Sequence, residues 1–197
     1  MGGRGDDEKS EGRALSWLRL EEPVPTPEVE AVFQGTRERI GYVRTAQRMM
    51  AVAPAVLVAQ DNLSRSLMGP GEHLTPKEKE LLALVVSVEN RCVSCIFGHA
   101  SRLRALTRDA VWVGTVEANY RHADLSARER ALADYAVKLT RTPGEVEEAD
   151  LTLLRDAGLS ELEIVYAAGI VAFFNLSNRV NSGLGVRANR EAYEAER

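Results

Sequence analysis

Glu80, Cys92, Cys95 and His99 are the side chains whose types and spacing suit joint chemistry. Cys92 and Cys95 stand three residues apart and His99 four beyond Cys95, so on one helix all three share a face. Asn90 is placed to cap that helix, with Cys92 in its first turn. The helix dipole and the free amides there favour a thiolate, as does a nearby imidazole. His99 can take the proton of Cys95, which gives the nucleophile and base that thiol catalysis needs. Glu80 lies about 18 Å from Cys92 along a straight helix. It reaches the pair only if the chain bends between them, and residues 88–91 are the expected place.

Other chemistries compete for the same residues. Cys92, Cys95 and His99 could be three zinc ligands, but a structural site usually needs four, and the sequence holds no second cysteine pair. Both cysteines could also be buried core side chains. A Cys-x-x-Cys pair suggests dithiol redox chemistry, yet the thioredoxin version follows a strand in a βαβ unit, and the surroundings here read as helical.

The elements that must position these residues carry clear start signals. Thr75 with Glu78, Ser126 with Glu129 and Ser160 with Glu163 each pair a hydroxyl with a carboxylate three residues on. That is the capping box of a helix N-terminus. Behind the second start, Leu132, Tyr135, Ala136 and Leu139 line one face. Behind the third, Ile164, Val165, Ala168, Val171 and Phe174 make a helix apolar over most of its circumference, either central or half-buried in a subunit contact. Earlier in the chain, Val29, Val32 and Phe33 form one stripe. Val56, Ala59, Leu63 and Leu67 form another after Pro54, ended by Gly69-Pro70-Gly71. Val146 to Ala157 predicts a short helix stopped by Gly158. No stretch alternates like a strand. The expected fold is an all-α bundle of about eight helices with short connections.

The chain has 197 residues and a formal charge of −4. That length predicts one domain, residues 14–197, preceded by a polar, disordered tail at 1–13. Residues 14–27, with Pro23, Pro25 and Pro27, predict an extended arm laid on an apolar surface. Mild acidity argues against a general nucleic-acid binder. The apolar run at 164–174 is too short for a membrane span, and residues 1–13 lack the apolar core of a secretory signal. A cytoplasmic protein is therefore expected. Two cysteines exclude a disulfide scaffold. Arg4-Gly5-Asp6 reads as a chance tripeptide in the tail.

The segment from Glu80 to His99 closely resembles the AhpD-like family of alkyl hydroperoxide reductases, within the carboxymuconolactone decarboxylase superfamily. That family's motif is a Glu, eleven residues, then Cys-x-x-Cys-x-x-x-His, matched at Glu80, Cys92, Cys95 and His99. Ser87 and Asn90 also resemble family positions. The likeness continues through 125–132, 135–140 and 174–179, spans roughly residues 17–188, and is best with the branch called peroxidase-related enzymes. It implies an all-α, homo-oligomeric thiol peroxidase without metal or organic cofactor. Its substrates would be a hydroperoxide and a dithiol or protein-thiol reductant. The resemblance also implies roles: Cys95 attacks peroxide, Cys92 donates a proton and then closes the disulfide, His99 is the base, and Glu80 completes the relay. Closure to a disulfide protects a sulfenic acid from over-oxidation. The best-known branch has a His just before the second cysteine, where this chain has Ser94. The decarboxylase branch lacks the cysteine pair, which disfavours lactone decarboxylation. The runner-up reading is a non-enzymatic sensor whose disulfide switches assembly or a partner contact.

Several polar residues remain. Glu89 is either a solvated helix-end carboxylate or a support for the thiol site. His73 and His122 read as surface residues, and Trp112 as core. Asn175, Asn178 and Arg179 form a polar strip, read as helix-end satisfaction with an ion pair in preference to a pocket wall.

Overall fold

The computed structural model describes residues 14–71 and 73–195; the expected disordered tail at 1–13 lies outside them. Among the described residues, ten α-helices follow one another: α1 (Pro27–Ile40), α2 (Thr45–Met50), α3 (Pro54–Met68), α4 (Pro76–Glu89), α5 (Val93–Thr107), α6 (Ala110–Asn119), α7 (Ala127–Arg141), α8 (Glu148–Asp156), α9 (Glu161–Gly183) and α10 (Arg190–Glu194). The same residues contain no β-strand. The all-α expectation holds. Two short 3-10 turns, at Tyr120–His122 and Pro143–Glu145, join the helices.

All three sequence-predicted capping boxes form. The hydroxyls of Thr75, Ser126 and Ser160 accept from the amides of Glu78, Glu129 and Glu163, and each Glu accepts from its cap residue's own amide. These starts fix where α4, α7 and α9 enter the bundle. Each such cap contributes about 1 kcal/mol.

Helix α4 is the central element. Leu81, Leu82, Ala83, Leu84, Val85 and Val86 are all buried, so its apolar run faces neighbours on every side. Helices α5, α6, α7 and α9 surround it. The apolar circumference of α9 is only partly covered: Leu162, Val165 and Leu176 are exposed, while Ile164, Ile170, Val171 and Phe174 enter the core. Helices α1–α3 build a second, smaller cluster from Val29, Val32, Phe33, Ala51 and Leu57. Here the expected α3 stripe is corrected. Val56 and Leu63 are exposed, and Leu57 and Asp61 are the buried positions. Helix α3 must turn one face to α1 and another to α9, which rotates its buried line by one residue from the apolar pattern.

The arm at 14–25 is non-helical and is tied to the loop after α9. The Trp17 amide donates to the Leu184 carbonyl at 3.0 Å, and the Arg187 amide to the Leu15 carbonyl at 2.9 Å. The Trp17 ring lies against Gly185, whose φ is +62°. A Cβ there would collide with the ring, so the position accepts only glycine for two reasons. Trp17 is nonetheless 76 % exposed.

Candidate active site

Helix α4 ends in a left-handed turn that aims the chain back along its own side. Arg91 has φ +53°. Its amide donates to the Val88 carbonyl at 3.0 Å, and the Cys92 amide to the Ser87 carbonyl at 3.0 Å. This is a Schellman cap with arginine at the position usually held by glycine. The bend expected at 88–91 is therefore present, and α4 and α5 pack side by side. The fold-back brings Glu80, two turns up α4, against His99 on α5: Glu80 Oε2 lies 2.8 Å from His99 Nδ1.

The cap of α5 differs from expectation. Asn90 is the C-cap of α4, and Cys92 itself is the N-cap of α5, placing Cys95 in the first turn. The Asn90 side chain instead donates to Asn175 Oδ1 at 2.9 Å and Asn178 Oδ1 at 3.1 Å. Asn178 in turn donates to Ser87 Oγ at 3.2 Å, and Asn175 to Thr140 Oγ1 at 3.0 Å. The strip on α9 is thus not at a helix end, since α9 runs on to Gly183. It clamps the α4–α5 corner to α7 and α9, and Arg179 hydrogen-bonds Asn175 in place of an ion pair.

The sulfurs of Cys92 and Cys95 are joined, with Cα atoms 5.3 Å apart, inside the range a disulfide requires. Cys95 faces the large cavity, and Cys92 is sealed behind it. Ser94 Oγ lies 3.6 Å from the Cys92 sulfur and 3.9 Å from that of Cys95, within hydrogen-bonding reach of both. A contact that sequence reasoning missed comes from α9: Asn181 Nδ2 donates to Cys95 Sγ at 3.3 Å, with both residues buried. Asn181 continues the asparagine spacing of 175 and 178, which is the one signal the sequence offered.

The cavity holds about 600 Å³ between the α1–α3 cluster and helices α5, α9 and α10. Cys95, His99, Glu80 and Ser94 share it. Burial pushes the Glu80 carboxyl up, but its hydrogen bond to His99 and the charges of His99, Arg102 and Arg44 hold it below the usual range. Arg102 Nε lies 2.8 Å from Glu80 Oε1. An ionised Glu80 can only accept, so His99 Nδ1 carries a proton and its Nε2 is left as the base. The His99 ring stacks edge-on against Phe174, 4.4 Å between centroids, which fixes its plane.

Glu89 is not part of this site. It pairs with Arg141 beside a separate cavity of about 320 Å³ that Arg91 and Tyr120 also line. His73 stacks on Tyr166, and Trp112 donates its indole N–H to the Asp124 carbonyl. Among the described residues, no cluster of three or more His, Cys, Asp or Glu side chains is arranged to hold a metal ion, and no single helix is long and apolar enough to cross a membrane.

Known proteins share this architecture. The carboxymuconolactone decarboxylase family model matches residues 54–111, which include all four motif residues. An uncharacterised peroxidase-related protein from Silicibacter sp. TM1040 is 33 % identical, with a TM-score of 0.88 over 94 % of this chain and 97 % of that one. An alkylhydroperoxidase AhpD core protein from Ralstonia eutropha JMP134, also described as peroxidase-related, is 29 % identical, with a TM-score of 0.88 over 94 % and 98 % of the two chains. The debrominase Bmp8, 20 % identical over 90 % and 96 % with a TM-score of 0.77, shares the fold. No curated protein matches the sequence significantly.

Proposed function

The chain belongs to the carboxymuconolactone decarboxylase and AhpD-like superfamily, and from that premise we propose that it is a thiol-dependent hydroperoxide reductase. The observation that carries the reading is the placement of Cys95 in a roomy cavity, with Cys92 at its back and the Glu80–His99 pair in the same wall. In the reduced protein His99 Nε2 takes the Cys95 proton. The thiolate attacks one peroxide oxygen, the O–O bond breaks, and the alcohol leaves with a proton returned through His99. Cys95 is then a sulfenic acid. The Cys92 sulfur attacks it, the S–O bond breaks, water leaves, and the disulfide forms. An external dithiol restores both thiols by exchange and becomes a disulfide itself.

The α5 N-terminus favours a thiolate at either cysteine, and most directly at Cys92. Access and the Asn181 donor favour Cys95 as the attacking sulfur. Ser94 touches both sulfurs and relays the proton between them, in the place where the best-known relatives carry an imidazole.

The test is peroxide consumption by reduced protein, with thiols counted before and after. Two thiols per chain should be lost for each peroxide and restored by a dithiol over many cycles. Cys95→Ser should abolish turnover. Full activity in that variant, or thiols that survive excess peroxide, would sink the assignment. A single oxidation that no dithiol reverses, with a change of assembly, would favour a sensor.

A further inference from the structure

The cavity carries positive charge that the thiol cycle does not use. Arg39, Arg44, Lys79, Arg102 and Arg187 line it, against only Asp61 and Glu80, in a chain whose net charge is negative. Both carboxylates are already engaged. Glu80 is held by His99 and Arg102, and Asp61 by Arg65 at 3.0 Å and Arg39 at 3.8 Å. Lys79 donates to the Gly69 carbonyl at 2.8 Å. Arg44 is different: it is half-buried and makes no ion pair with any described residue. Burial, with the like charge of Arg102, pushes its guanidinium down to about 10. A cation held this way costs stability unless an anion joins it. The remaining wall is apolar, with Met50, Leu57, Phe173 and Phe174 facing the same space.

We propose that this cavity takes an amphiphilic organic anion: a hydroperoxide whose carboxylate is held by Arg44 beside Arg102, and whose alkyl body lies along Phe173, Phe174 and Leu57. The hydroperoxide part rests on the function proposed above; the carboxylate site does not. A carboxylate there turns the Arg44–Arg102 repulsion into attraction to a shared partner. A guanidinium–carboxylate contact of this kind is the strong, directional sort. The volume is within the range of small-molecule sites, and the mixture of apolar wall and few charged groups is typical of them.

Binding is tested on the full chain with its disulfide closed, using decanoate and decanol as probes. Decanoate should bind about tenfold more tightly or better. Arg44→Met should erase the difference, and Arg44→Lys should keep part of it. Equal affinities, or a preference that survives in Arg44→Met, would overturn the site. Oxidation of the reduced thiols is then compared for a fatty-acid hydroperoxide and its methyl ester, with the acid expected to react about tenfold faster at limiting concentration. Selective decanoate binding with no thiol oxidation by any hydroperoxide would leave the anion site standing and remove the peroxide from it. Rapid oxidation without acid preference would do the reverse. Acid preference confined to reduction by carboxylated dithiols would assign the site to the reductant and overturn the proposal.

Discussion

Replacing Asn181 by leucine removes the one described side-chain N–H that donates to the Cys95 sulfur, at 3.3 Å, while keeping nearly the same shape. The backbone is untouched: the Asn181 carbonyl still accepts from the Val186 amide at 2.9 Å. A hydrogen bond to a charged group contributes about 1.5–3 kcal/mol, and one pKa unit is about 1.4 kcal/mol. The contact is buried, so water cannot replace the lost donor. Asn181→Leu should therefore raise the Cys95 thiol pKa by about one to two units. The assay is the pH dependence of alkylation by a small neutral reagent, in a Cys92→Ser background so that one thiol titrates. Asn181→Asp should raise the pKa as well, by placing a carboxylate beside the thiolate. An unchanged pKa in Asn181→Leu would refute the reasoning, because it would mean that the amide is not facing the sulfur in the reduced state.

Three further outcomes are expected. Glu80→Gln leaves Arg102 and Arg44 without their buried anion and should cost about 3–5 kcal/mol in urea denaturation at pH 7. Because the folded Glu80 carboxyl lies below its ordinary value of 4.5, its contribution is complete above that pH and is lost as pH falls through the lower folded value; the gap between wild type and Glu80→Gln should close at acid pH and stay constant above it. Arg91→Gly relieves a non-glycine residue at φ +53° and should stabilise the fold by about 1 kcal/mol; a loss of stability would show that the arginine side chain holds the corner. In α3, Leu57→Ala should cost about 2–5 kcal/mol and Val56→Ala under about 0.5 kcal/mol, since Leu57 is 3 % and Val56 47 % exposed; the reverse order would place the apolar stripe of the sequence inward after all.

Local signals in the sequence settled the elements. Capping boxes at Thr75, Ser126 and Ser160 set three helix starts, because both partners of each bond lie within one turn. The grouping of Cys92, Cys95 and His99 followed from helical spacing, and the bend at 88–91 from the need to bring Glu80 back. Long-range packing decided the rest. Which face of α3 is buried depends on α1 and α9 together, so its own apolar pattern pointed one residue away. Asn90 looked like a cap for the helix after it, yet it bonds to Asn175 and Asn178, 85 and 88 residues on. Asn181 reaches Cys95 across 86 residues, and Arg44 enters the cavity from the cap of a six-residue helix. No local pattern marks such partners, since each contact exists only after α4 and α5 fold back and α9 packs over their corner. The amino-acid sequence determined the reactive set and the helices that carry it; the tertiary structure alone decided which sulfur is open, what stands beside it, and what charge surrounds the space it faces.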